Sequence, residues 1–175
     1  MPDENVLVPA PQEVLDQANV QDWEGLLASA AADPIAFWEK EAGELEWSQP
    51  WDKVLDDCGA PFYKWFPGER TNIVTNAIDR HLSTARRNKL ALIWVGEDTS
   101  KVRTFSYFSL NREVEQMANI LLSMGVTKGD VVTIYLPRIP EIYFAMLACA
   151  KIGAIHSVVF AGYSSEALNA RIDDS

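Results

Sequence analysis

Between Gly129 and Gly162 the apolar positions fall into three successive runs with no clean polar face in any of them. Asp130–Leu136 and Ala154–Phe160 are short, β-branched and nearly continuous, the pattern of strands covered on both faces in a parallel sheet. Pro140–Ile152, between them, is apolar around almost its whole circumference, which predicts a buried helix. Pro140 suits a first helical turn, Glu141 suits the positive end of the helix dipole, and Gly153 stands where a C-terminal cap belongs. Two parallel strands joined through a helix make a right-handed βαβ crossover.

The same reading, taken from the start of the chain, predicts less regular structure. Met1 to about Gln12, with three prolines and no sustained period, reads as a disordered leader. Helical patterning over Glu13–Ala31 breaks near Asn19–Asp22, and Asp33-Pro34 then caps and opens a second short helix with Phe37 and Trp38 on its buried side. From Trp38 to Trp65 aromatic residues crowd among prolines and glycines, which predicts an irregular segment held down by aromatic anchors. Acidic residues surround those rings, so a stacking platform for nucleic-acid bases is rejected. Thr71–Arg87 reads as one helix with Ile73, Ala77, Ile78, Leu82 and Ala85 on one side and basic residues towards its end. Leu90–Val95 and Val102–Phe105 read as a hairpin. Ser106 then caps a helix whose stripe is Leu110, Val114, Met117, Leu121 and Met124, flanked by Ala118 and Leu122, with Gly125 closing it.

Charge narrows the function. Twenty-five acidic against 15 basic residues leave a formal net charge of −10, which argues against nucleic acid or an anionic membrane as partner, although a small anionic ligand needs only a local site. The length of 175 residues and 48% hydrophobic content suffice for a core. Two cysteines far apart, Cys58 and Cys149, predict no disulfide framework and a reducing compartment. No apolar run reaches the roughly 20 residues of a membrane span, and no signal-peptide pattern opens the chain, so a cytoplasmic protein is expected.

Candidate chemistry is sparse. No phosphate-loop, Gly-x-Gly-x-x-Gly or Cys/His metal pattern occurs. Gly162-Tyr163-Ser164-Ser165-Glu166 starts like a nucleophile elbow but lacks its closing glycine, so Ser164 is read as the N-cap of a helix over Ser165–Ile172. His156, in an apolar strand, reads as a core or sheet-end residue, and His81 as a polar surface or supporting residue. The junction Phe160-Ala161-Gly162 is the one local pointer to a ligand. Small residues at the carboxyl end of a parallel strand, followed by a capped helix, suit an approaching anion.

Trp65-Phe66-x-Gly68, Asn72, Asn76 and Asp79-Arg80-His81 appear in that order, followed by Ala91-Leu92-Ile93-Trp94 and Gly125-Val126-x-Lys128-Gly129-Asp130. Tyr135-Leu136-Pro137-x-Ile139-Pro140-Glu141 and Met146-Leu147-Ala148-Cys149-Ala150-x-Ile152-Gly153-Ala154-Ile155-His156-Ser157-Val158-Val159-Phe160 complete the series. From about Asp33 to Ser175 the chain resembles the N-terminal region of AMP-forming acetyl-CoA synthetases and their short-chain acyl relatives. The resemblance implies an α/β fold: an N-terminal helical and irregular region packed on the start of a βαβ parallel-sheet subdomain of the adenylate-forming fold. It divides the chain into a leader (1–20), a synthetase N-terminal region (21–88) and the first part of an AMP-binding domain (89–175).

Two positions depart from the family pattern. Phe-Gly-Gly-Phe-Ser stands here as Phe160-Ala161-Gly162-Tyr163-Ser164, and Thr-Tyr-x-Glu-Leu as Ser106-Tyr107-Phe108-Ser109-Leu110. Ser109 therefore cannot close a capping box with a carboxylate. The family's Pro-Lys-Gly loop, its aromatic-Thr-Glu motif, its ribose-binding Asp and its catalytic lysine do not occur in these residues. The resemblance accordingly implies an N-terminal fragment of a carboxylate–CoA ligase, inactive by itself and without a catalytic residue or a metal ligand. ATP, Mg²⁺, CoA and a small carboxylate would be handled by the whole enzyme, none of them held tightly here. Phe160, Ala161 and Gly162 are the positions implied to line the CoA nucleotide site. Self-association through an unpaired sheet edge is expected. The alternative reading is a non-catalytic binding or assembly module of the same descent.

Overall fold

The computed structural model describes residues 9–175. The chain forms two compact units, one holding the described residues up to Leu45 together with Asp52–Pro67, the other holding Glu46–Trp51 together with Gly68–Ser175.

In the first unit, residues 1–8 of the expected leader lie outside the described part, and Gln12–Asp16 form a short exposed helix, α1. α2 (Trp23–Ala32) and α3 (Pro34–Ala42) follow. Asp22 and Asp33 cap them, their carboxylates accepting from the N–H groups of Gly25 at 2.8 Å and Ala36 at 2.9 Å. The break between the first two helices falls where the sequence predicts it. The expected buried pair on α3 does not form: Phe37 is half-buried, Trp38 is 50% exposed, and Ala42 is the buried residue. Neighbouring residues on a helix point about 100° apart, so the two rings cannot share one inward face. They meet each other edge-on at 5.3 Å instead.

The aromatic segment also differs from expectation. β1 (Leu55–Asp56) and β2 (Lys64–Trp65) pair antiparallel but are only two residues each, too short to make a surface that buries rings. Val54 is buried beside them, whereas Phe62, 83% exposed, together with Tyr63 and Trp65, faces solvent. The anchors are fewer than the count of rings suggests.

In the second unit the predicted helix over Thr71–Arg87 is broken. α4 spans Ile73–Ala77, and two 3₁₀ turns follow at Asp79–His81 and Ala85–Asn88. Ile78, at φ −130° and ψ −60°, leaves the helical path. Val74 and Ile78, four residues apart on one face, enter the core, and Ile73 is 69% exposed. Polar side chains hold the broken shape. Asn72 caps α4 by accepting from the Val74 N–H at 2.9 Å. The Asn76 amide accepts from the Glu46 N–H at 2.8 Å and donates to the Glu46 carbonyl at 3.0 Å.

β3 (Leu90–Val95) and β4 (Val102–Ser106) form the expected hairpin, with a register shift between Leu90 and Leu92. α5 (Tyr107–Ser123) is capped by the Ser106 hydroxyl, which accepts from the Ser109 N–H at 3.2 Å. The Ser109 hydroxyl turns back on the same cap, 3.3 Å from the Ser106 Oγ. Leu110, Val114, Ala118 and Leu121 are buried as the stripe predicts, but Met124 and Leu122 face solvent because the helix runs past the core at its last turn.

β5 (Val131–Leu136), α6 (Glu141–Ile152) and β6 (Ile155–Phe160) form the predicted crossover, with the strands parallel neighbours in register from Val131↔Ile155 to Leu136↔Phe160. The Asp130 carboxylate accepts from the Thr127 N–H at 2.7 Å and hydroxyl at 2.9 Å, which holds its pKa below the usual carboxylate range. Gly153 ends α6 in the left-handed conformation at φ 78°, and a side chain there would also press on Lys128. Ile134 and Val159 are buried, but Val131, Tyr135, Ile155, Val158 and Phe160 are exposed, so the strands are not covered on both faces within this chain. His156 is exposed on β6 rather than buried. α7 (Ser165–Asp173) closes the chain, capped by Ser164 as predicted, with the Ala167 N–H donating to its hydroxyl at 3.3 Å.

The core joins Val74 and Ile78 to Phe105, Leu110, Val114, Ala118, Leu121, Phe144, Ala148, Cys149 and Ala154. α6 lies between α5 and the parallel strands, and Phe144 meets Phe105 edge-on at 5.1 Å. Burial pushes the Cys149 thiol pKa up. Ala148 is fully buried in this layer. Ala148→Asp is expected to cost several kcal/mol by burying an unpaired charge, read as a lowered urea midpoint. Wild-type stability for that variant would show that the helix does not sit in the core.

Candidate functional site

The predicted loop Phe160-Ala161-Gly162 leaves the carboxyl end of β6 and is held by side chains from three directions. The Tyr135 hydroxyl lies 3.0 Å from the Ala161 carbonyl and 2.8 Å from the Tyr163 carbonyl, and its single proton bridges both. The Tyr163 N–H closes a turn on the Phe160 carbonyl at 3.1 Å. The rings of Phe160 and Tyr163 meet edge-on at 6.2 Å, and Arg171 of α7 covers Tyr163 at 4.8 Å. Gly162 is needed for steric reasons: a Cβ there would stand 2.5 Å from Cε1 of Phe160. Ala161, where the family pattern has glycine, is half-buried.

Beside this loop lies a cleft of about 690 Å³, lined by Trp94, Val95, Gly96, Glu97, Pro137, Arg138 and Phe160. It opens where β3, β5 and β6 all end, the usual side for ligands in parallel α/β structures. The Trp94 indole N–H donates to the Arg138 carbonyl at 2.8 Å and so ties the hairpin to the turn before α6. Arg103 pairs with Glu141 at 2.7 Å at the start of that helix. Partial burial acts to raise the Glu141 pKa, but the hydrogen bond from Arg103, with its charge and the residue's own backbone N–H, lowers it overall. Sequence reasoning found the loop and missed the cleft, because Arg138 lies 44 residues after Trp94 and 22 before Phe160.

Of the other residues singled out in the sequence, Ser164 is a cap and His156 stands apart on the strand. His81 stacks edge-on with Tyr107 at 5.0 Å. Cys58 and Cys149 are both free thiols, the first exposed and the second buried. Among the described residues, one group offers three metal-ligating atoms together: Asp56, Asp57 and Cys58, within 4.8 Å. It is a surface turn with Lys53 3.9 Å and 3.8 Å from the two carboxylates. A thiol and a competing ammonium do not suit a Mg²⁺ ion, which takes oxygen ligands and phosphates. These residues do not make a Mg²⁺–triphosphate site.

A parallel crossover with a cleft at its strand ends and a small-residue loop entering a capped helix defines an α/β protein. The chain belongs to the AMP-binding enzyme family, which it matches over residues 79–175, and residues 23–77 match the acetyl-coenzyme A synthetase N-terminus. Among curated proteins, it is 51% identical over 166 residues to the acetyl-coenzyme A synthetase of Gemmatimonas aurantiaca, an alignment covering 95% of this chain and 25% of that one. Its identity to the Mycolicibacterium smegmatis acetyl-coenzyme A synthetase is 45%, over 95% of this chain and 18% of that one. The fold matches an acetoacetyl-CoA synthetase from Streptomyces lividans with a TM-score of 0.77 and 27% identity, over 93% of this chain and 25% of that one. The chain thus spans about a quarter of the length of the first of these relatives.

The loop geometry makes a direct prediction. Gly162→Ala must drive the Phe160 ring away, so the nuclear Overhauser contacts between Phe160 and Tyr163 are expected to vanish. Tyr135→Phe should cost about 1 kcal/mol or less and speed amide exchange at Tyr163. Unchanged exchange in Tyr135→Phe would mean that the hydroxyl does not hold the loop.

Proposed function

We propose that these residues form the N-terminal part of an AMP-forming acyl-CoA synthetase acting on acetate or another short-chain carboxylate. In that reaction the carboxylate attacks ATP to give an acyl adenylate and diphosphate, and the CoA thiol then takes the acyl group and releases AMP. The observation that carries the reading is the order of matches, synthetase N-terminus followed without a gap of more than one residue by the AMP-binding family.

The part played here is positional. Phe160, Ala161 and Gly162 line one side of the CoA nucleotide site, with the loop held in shape by Tyr135, while ATP and Mg²⁺ are engaged by residues other than these. The synthetase N-terminal region runs over 21–88 and the adenylation domain starts at 89. The site of action we assign is the cytoplasm, and among the described residues no helix is long and apolar enough to cross a membrane. The acidic balance disfavours nucleic acid and anionic membranes as partners.

A chimera tests the reading. These residues, replacing the matching quarter of the Gemmatimonas aurantiaca relative, should restore acetate-, ATP- and CoA-dependent diphosphate release, whereas the 175-residue chain alone should release none. In the chimera, Gly162→Trp should raise the KM for CoA at least tenfold while moving that for acetate little. Equal changes in both constants would remove the CoA assignment. A second expectation concerns association. β6 pairs only with β5 among the described residues, and its exposed Ile155, Val158 and Phe160 leave an apolar edge. Light scattering on the isolated chain should show mass rising with concentration, and a constant monomer mass would exclude that edge as a contact.

A further inference from the structure

We propose that the exposed faces of α2 and α3 dock onto the part of the parent synthetase that follows these residues, and that the surface they meet is cationic, with apolar side chains between its charges; this rests on the reading of the chain as the N-terminal part of a longer enzyme. Among the described residues of the first unit only Ala42 and Val54 are buried. Trp23 and Leu27 stand one turn apart on α2, Ile35 and Trp38 one turn apart on α3, and all four are between 46% and 61% exposed. Large apolar side chains at one-turn spacing on two consecutive helices make a surface that water penalises until something covers it. Tryptophan is among the side chains that contribute most when such a surface is covered.

Charge restricts what can cover it. Residues 1–45 and 52–67 carry 13 acidic and 3 basic residues, whereas 46–51 and 68–175 carry 12 of each, so the whole net charge of −10 belongs to the first unit. Glu24 lies three residues before Leu27 and Glu41 three after Trp38, so each helix sets a carboxylate beside its exposed apolar pair. Neither carboxylate has a cation within ion-pair distance among the described residues. A second copy of this face would bring like charge to like charge, and so would any acidic partner. Lysines and arginines interspersed with apolar side chains match both features at once. The relatives are long enough to supply that surface: the chain spans 25% of the Gemmatimonas aurantiaca synthetase, which leaves three-quarters of such a protein to meet it.

The experiment compares hydrogen exchange in the 175-residue chain with that in the chimera in which it replaces the matching quarter of the Gemmatimonas aurantiaca relative. Amides of residues 23–42 should exchange roughly tenfold more slowly in the chimera, while those of α6 exchange alike in both. In the chimera, Trp38→Ala and Glu41→Lys should each speed exchange over 23–42 roughly threefold, and Glu41→Gln should do so less. Equal exchange in the two proteins, with a chimera that releases diphosphate, would overturn the docking and leave the synthetase reading standing. Slow exchange over 23–42 in a chimera without activity would support the docking and count against the catalytic reading. Slow exchange that appears in the isolated chain as its concentration rises would assign the face to a second copy and overturn the proposal. A second measurement does not depend on the folding of the chimera. The ¹⁵N-labelled chain is titrated with a helical peptide carrying leucines on one face and lysines on the other. The indole N–H signals of Trp23 and Trp38 should shift, with a Kd of tens of micromolar that weakens in high salt. The same peptide with glutamate in place of lysine should leave them unmoved. Equal responses to both peptides, or a response to neither, would overturn the cationic complement.

Discussion

The helix Glu141–Ile152 can lie buried only because protein donors meet the carbonyls at its C-terminus. An α-helix leaves its last carbonyls without intrahelical partners, and inside a core that deficit is costly. Here the Cys149 carbonyl accepts from the Ala154 N–H at 2.9 Å, and the Asn72 side-chain amide donates to the carbonyls of Ala150 at 2.8 Å and Lys151 at 3.3 Å. The same Asn72 caps α4 through its oxygen. One amide therefore starts one helix and finishes another 78 residues away.

Lys151 completes the clamp. Its ammonium lies 2.9 Å from Asp79, 3.7 Å from Glu115 and 3.2 Å from the buried Asn111 amide oxygen. Asp79 comes from the 3₁₀ turn, Glu115 and Asn111 from α5, so the end of α6 is tied to both neighbours. The ammonium is three-quarters shielded, so these bonds are worth more than exposed pairs, yet much of their value is in fixing register rather than in net stability. Val74 and Ile78, four residues apart on one face, enter the core, and Asn72 and Asp79 on either side of them reach the end of α6.

Once α6 is fixed, the strands on either side of it are fixed too, and with them the loop at Phe160. Tyr135 and Phe160 stand one register step apart on neighbouring parallel strands, since Leu136 pairs with Phe160. That offset puts the Tyr135 hydroxyl beyond the end of β6, where the carbonyls of Ala161 and Tyr163 can share it. The loop is thus shaped by the sheet beneath it, and Gly162 is the position where the Phe160 ring leaves no room for a side chain.

Local chemistry was enough to read the crossover, the hairpin, the caps at Asp33, Ser106 and Ser164, and the glycine that ends α6, because each is set by neighbours a few residues away. Composition argued against a basic nucleic-acid surface, and the Tyr135–Phe160 block is the most specific part of the family resemblance. What the sequence could not supply depends on distant segments meeting. Trp38 and the rings of Phe62, Tyr63 and Trp65 count as apolar in any pattern, but Trp38 does not share the inward face of α3, and the short β1–β2 pairing left the other three exposed. The continuous apolar runs of β5 and β6 describe surfaces suited to burial on both sides, whereas burial is decided by what lies against them. The clamp at Asn72 and Lys151 and the cleft around Arg138 each join residues tens of positions apart, and side-chain polarity along a chain holds no record of which partner it will find.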